Sequence, residues 1–136
     1  LNGQAGDHEI SLFGMQGWED FELETDFLMN LDYHQFSYSY VDYENDEVKT
    51  FVDSFRTTYK TEPLVDNLAF LGYDIMMYFG KALMEYGRNF NGCLEHLQYE
   101  GLQYNFRFSA ADAKTGMCNT DIPIISLDNY KWVRNK

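Results

Sequence analysis

Residues 36–59 read FSYSYVDYENDEVKTFVDSFRTTY, and the change of period inside this stretch decides the fold class. Phe36, Tyr38 and Tyr40 alternate with Ser37, Ser39 and Val41, the period of two that gives a strand one better-buried face. The strand is expected over 35–43. Asn45 then offers a side-chain oxygen to the free N–H groups of a helix start, and Asp46 and Glu47 suit the positive end of its dipole. Val48, Phe51, Val52, Phe55 and Tyr59 fall on one face of that helix, and Pro63 lies beyond its end. A strand running into an amphipathic helix is the unit of layered α/β proteins.

The same reading extends in both directions. Ile10, Leu12 and Phe13 form a short apolar run ending at Gly14, as a buried strand would. Phe21, Phe27, Leu28 and Leu31 keep helical spacings, with Thr25 and Asp26 as caps of a helix that starts late. Downstream, Asp66 caps a long helix whose positions Leu68, Leu71, Ile75, Tyr78, Phe79, Ala82, Leu83 and Tyr86 make a wide apolar stripe before Gly87 stops it. Asn91 opens a shorter helix with Leu94 and Leu97, ended by Gly101. Leu102, Tyr104, Phe106 and Phe108 alternate with polar residues, the signature of a strand. After a polar loop containing Gly116, Ile122 to Trp132 is strand-forming and broken by a turn at Asp128 and Asn129. The order implies helices packed on a mostly parallel sheet.

Composition narrows the function. The chain has 136 residues, one domain's worth, and its 45% hydrophobic content is enough for a core. Ten basic residues against 22 acidic ones give a net charge of −12, which repels polyanions, so nucleic acid is excluded as a partner. The acidic run from Asp42 to Glu47 lacks the spacing and turn glycine of a calcium loop and reads as a solvated helix start. His8, His34 and His96 stand far apart, none with a partner at zinc-motif spacing, so no metal is expected. Cys93 and Cys118 permit one disulfide or two free thiols. No nucleophile elbow, phosphate loop or dinucleotide fingerprint occurs, and paired carboxylates such as Glu19 with Asp20 arise readily in an acidic chain, so neither catalysis nor a cofactor is expected.

The stretches LFGMQGWEDF (12–21), FSYSYVDYENDEVKTFVDSFRTTY (36–59), LAFLGYDIMMYFGKALMEYG (68–87) and GLQYNFRFSAADAKTGMCN (101–119) resemble, in this order, the last part of type I periplasmic substrate-binding proteins. They are especially similar to the binding-protein-like domains that follow LysM peptidoglycan-binding modules in bacterial envelope proteins. The resemblance implies that 1–136 is the C-terminal portion of a two-lobed domain with a partial periplasmic-binding-protein type I fold. A small solute, amino-acid or cell-wall related, would be held in the cleft between lobes in a periplasmic or envelope setting. The 10–15 strand would belong to the second lobe, 35–43 would lead back to the first, where the helices pack, and 102–109 would return to the second. The family's polar cleft residue carries over onto Gln16, with Trp18 beside it as a ligand platform or a packed aromatic. Amino-acid-binding members often have a Glu at that position to hold the ligand ammonium, and Gln16 departs from that pattern. Tyr43 at the crossing and Tyr73 of the GYD motif complete the expected contacts. Peptidoglycan or a transporter would be met through other parts of such a protein. The alternative is an adhesion-like envelope module with the same fold and no small ligand. Helix stripes with few strands to cover them also imply self-association of the chain.

Overall fold

The computed structural model describes residues 3, 8–15, 17–18, 21–38, 40–64, 68–110, 112 and 116–135. The chain is mixed α/β and divides into two compact units, 1–40 with 122–136, and 41–121.

The first unit holds a four-stranded sheet in the order β1 (Leu12–Gly14), β2 (Tyr33–Phe36), β6 (Ile124–Asp128), β7 (Lys131–Arg134), with α1 (Thr25–Asn30) between β1 and β2. Only β1 and β2 run parallel; β2 with β6 and β6 with β7 are antiparallel, where a mostly parallel sheet was expected. The terminal hairpin imposes the β6–β7 direction, because two strands joined by a tight turn can only run antiparallel. The turn residues Asn129 and Tyr130 both have positive φ, 47° and 63°. That is the twist a two-residue hairpin loop requires, natural for Asn and strained for Tyr.

Strand β2 corrects the sequence in two ways. It begins at Tyr33, before the expected start, and ends at Phe36. Its buried face carries Tyr33, Gln35 and Ser37, at 2%, 4% and 4% exposure, whereas Tyr38 is 47% exposed. The alternation was therefore real but read in the wrong phase, and a shift of one residue exchanges the two faces of a strand. Past Phe36 the backbone still bonds to the terminal segment, Ser37 N donating to Pro123 O at 2.9 Å.

The second unit contains α2 (Asp46–Tyr59), α3 (Ala69–Tyr86), a 3₁₀ segment (Gly87–His96) and a three-stranded antiparallel sheet of β3 (Gln98–Tyr99), β4 (Phe106–Ala110) and β5 (Met117–Asn119). Helix α2 is built as its sequence implies: Asn45 Oδ1 accepts from Glu47 N at 2.8 Å, Val48 and Val52 are buried, and Lys60 closes the helix in the left-handed conformation. Helix α3 stops at Gly87 as expected, but its buried row is Phe70, Asp74, Tyr78 and Ala82, one every four residues. Leu68, Ile75 and Leu83 from the expected stripe are exposed. The helix is apolar nearly all round, so composition could not say which row faces inward. Asp66, the expected cap, lies outside the described residues.

Two hydrophobic clusters hold this unit. One packs Tyr78, Ala82, Leu94, Leu97 and Phe106, and the other Val41, Val48, Val52 and Phe70. The expected strand at 102–109 starts only at Phe106 and stays with the helices in this unit; the chain enters the other unit after Asp121. Residues 102–104 turn instead around a buried carboxylate. Asp74 is fully buried and accepts from the backbone N–H groups of Leu102, Gln103 and Tyr104 at 2.8, 2.8 and 2.9 Å. Gly101 does not end a helix as expected. It is where the backbone meets this carboxylate, and a Cβ there would lie 2.5 Å from Asp74 Cγ. Cys93 and Cys118 are both free.

Candidate functional site

The sheet of the first unit presents Tyr33 and Gln35 side by side on the buried face of β2, two residues apart as the pleat requires. The Tyr33 hydroxyl donates to Gln35 Oε1 at 2.9 Å, a buried polar bond at the floor of the unit. Gly14 on β1 makes room for that ring: a Cβ there would stand 2.6 Å from Tyr33 Cε2 and closer still to its hydroxyl. The glycine of the LFG run is thus required by close approach and not by a turn.

Two tryptophans flank Tyr33. Trp18 stacks on it with centroids 6.2 Å apart and planes 14° from parallel, and Trp132 meets it edge-on at 5.9 Å and 63°. Trp132 is placed by the terminal hairpin, where it pairs with Leu127. These groups, with Phe21, Leu28 and Tyr130, border a pocket of about 240 Å³. Tyr130 sits at the strained turn, and its hydroxyl donates to Asp26 Oδ1 in the first turn of α1 at 2.7 Å. That bond, and then the charge of the carboxylate, raise the Tyr130 pKa, so the phenol stays protonated and the turn stays tied to the helix.

Elsewhere in this unit a polar chain links β2 and β6 with residues that flank β1 and β7. Ser11 Oγ donates to Asp32 Oδ2 at 2.8 Å, His34 Nε2 lies 3.0 Å from the same oxygen, His34 Nδ1 lies 2.9 Å from Asn135 Nδ2, and Ser126 Oγ donates to Asn135 Oδ1 at 2.8 Å. Hydrogen bonds from His34 and then Ser11 hold the Asp32 carboxyl below its usual range. Asp32 joins both partners, so the histidine does not stand between serine and carboxylate as a nucleophile's base would.

The four residues singled out in the sequence fare differently. Gln16 lies outside the described residues. Trp18 forms a wall of the aromatic pocket. Tyr43, 54% exposed, meets Phe70 edge-on at 6.0 Å in the second unit. Tyr73, on α3 of the same unit, packs on Phe51 at 4.8 Å and borders a wider hollow of about 710 Å³ whose rim includes Asp46, Glu47 and Glu100. Phe70 and Phe51, 5.0 Å apart, connect these two tyrosines in a row of rings. Tyr99 lines the same hollow, and burial, then the nearby charge of Asp74, pushes its pKa up to about 12.

Tyr33, Gln35, Tyr130 and Trp132 were missed. The expected strand began after Tyr33 and its phase put Gln35 on the wrong face, and Tyr130 and Trp132 come to Tyr33 through the pairing of the hairpin with the distant β2, which has no local signature. Among the described residues no group of three or more His, Cys, Asp or Glu is placed to hold a metal, and no helix is long and apolar enough to cross a membrane.

No protein-family model matches the chain, and no curated protein matches it. Among solved structures it is similar to an ABC transporter substrate-binding protein from Desulfitobacterium hafniense in complex with Leu, at 17% identity and a TM-score of 0.47. It is also similar to an ABC transporter solute-binding protein from R. palustris in complex with benzoate, at 21% identity and a TM-score of 0.46. Each alignment covers 98% of this chain and 38% of the other, so the chain spans well under half the length of either protein.

Proposed function

We propose that this chain is the C-terminal portion of a two-lobed solute-binding domain of the type I periplasmic kind, extracytoplasmic and without catalytic activity. The observation that carries the reading is Trp18. The residue singled out as a ligand platform borders a pocket whose floor is a buried hydrogen-bonded pair and whose walls are aromatic. A concave apolar site with a few placed polar groups is the usual form of a small-molecule site. The ordered motifs quoted above support the family. The working partners of the whole protein are then a small solute and a membrane transporter or the peptidoglycan layer, and its place is the periplasm or cell envelope. Gln16, two residues before Trp18 in sequence, would bring a neutral amide to the family's cleft position in place of a carboxylate.

A thermal-shift screen tests this reading with amino acids, sugars, muropeptides and small aromatic compounds. A ligand that binds only the native state raises stability by mass action, by about 2.7 kcal/mol at a hundredfold excess over Kd, and the melting midpoint rises with it. A shift with at least one class is expected. No shift with any class would leave the adhesion-like alternative.

A further inference from the structure

We propose that the pocket between α1 and the β2–β6–β7 face takes an uncharged planar aromatic solute carrying one amide or carbonyl group. This rests on the solute-binding reading above and goes further by naming the class.

Size sets the first limit. The volume of about 240 Å³ exceeds the ~150 Å³ cavity known to hold benzene and falls below the ~300 Å³ at which drug-sized sites begin, so one ring or a fused pair fits. Shape sets the second. Trp18 lies nearly parallel to Tyr33, and Trp132 stands at 63° to it, so the walls offer both a face and an edge to a flat ring. A saturated ring would meet the same walls without the matching quadrupole.

Polarity decides the rest. Gln35, at 4% exposure, borders the pocket, and its oxygen is engaged by the Tyr33 hydroxyl, which leaves the amide nitrogen as its donor. Tyr130 directs its own hydroxyl to Asp26. Beside the two indole N–H donors, the described lining offers one amide and the Thr25 hydroxyl, which leaves few acceptors for the hydroxyls of a sugar. None of the described lining residues carries a formal charge, so neither the two charges of a free amino acid nor a carboxylate would find an opposite charge among them. The net charge of −12 adds to the rejection of anions.

The chain has two tryptophans, and both border this pocket, so tryptophan emission reports its occupancy directly. The test titrates the 136-residue chain with benzamide, benzoate and cyclohexanecarboxamide, which share a size but differ in charge or planarity. Benzamide is expected to change the emission saturably, with Kd on the order of millimolar for so small a ligand. Benzoate and cyclohexanecarboxamide should each bind about tenfold more weakly or worse. Gln35→Leu should weaken benzamide by up to about tenfold, the value of one buried hydrogen bond. Tyr130→Ala removes a wall at a 66% exposed turn residue and should weaken benzamide about twofold to tenfold, so the test survives if Gln35→Leu fails to fold. Equal binding of benzoate or of the saturated amide overturns the proposed class, as does benzamide binding that leaves the tryptophans or the variants unaffected. Absence of benzamide binding alongside a thermal shift with sugars or amino acids overturns this inference alone. Absence of binding by every class overturns the solute-binding reading with it.

Discussion

Asp74 fixes the backbone of residues 102–104 in the second unit. Its carboxylate takes three backbone N–H groups in a fully buried position. Asp74→Ala should cost about 3 kcal/mol or more, because hydrogen bonds to a charged acceptor are worth ~1.5–3 kcal/mol and buried donors left open add a penalty. Denaturant unfolding measures it, and a loss under ~1 kcal/mol would show that water replaces the carboxylate. Two titrating groups give opposite pH limbs. The Tyr99 pKa stands near 12 in the fold against 10.0 for the free side chain, so burial of the neutral phenol stabilises fully below pH 10 and is lost as pH rises toward 12. Tyr99→Phe should flatten the alkaline limb of the stability profile. Asp32 has a depressed pKa, so its contribution is present above the ordinary value of 3.8 and disappears as pH falls through the folded value. Asp32→Asn keeps a side chain suited to the positive φ of 43° and should flatten the acid limb, read by thermal melts across acidic pH.

At the scale of elements, α2 tests the reading most simply. Asn45→Ala should cost ~1 kcal/mol by removing the one side-chain acceptor at the start of that helix, measured as a shift in the denaturation midpoint. This helix was legible in the sequence from cap to stop because every signal in it is local. The terminal hairpin was legible for the same reason, its turn falling within a residue of the expected Asp128–Asn129 break. What was not legible depends on neighbours. The β2 alternation fits two phases, and only pairing with β6 selects the one that buries Tyr33 and Gln35. Strands β3 and β5, of two and three residues, are too short to show a period. On α3 the polar Asp74 four residues from both Phe70 and Tyr78 was the clue to the inward row, obscured by the apolar residues on all sides. Of the candidate site, Trp18 came from resemblance, and its surroundings came only from the three-dimensional pairing of distant segments.

At the scale of the whole molecule, each unit retains exposed apolar side chains: Phe13 and Met15 at 65% and 72% in the first, Met76 and Met84 at 73% and 90% in the second. Exposed apolar surface of this kind favours association, and flexible methionines adapt to many partners. The isolated chain is expected to associate at micromolar concentration in light scattering, and Met76→Glu with Met84→Glu should shift it toward the monomer. A monomer with one cooperative transition would contradict the placement of these segments as part of a larger domain. The claim that matters most, however, is that the first unit holds a solute against Trp18. With the solute class that gives the largest thermal shift, calorimetric titration of the wild-type chain and of Trp18→Ala tests it directly. The account predicts that Trp18→Ala weakens binding about tenfold or more while the variant still unfolds cooperatively. An unchanged Kd in a folded Trp18→Ala variant would contradict it.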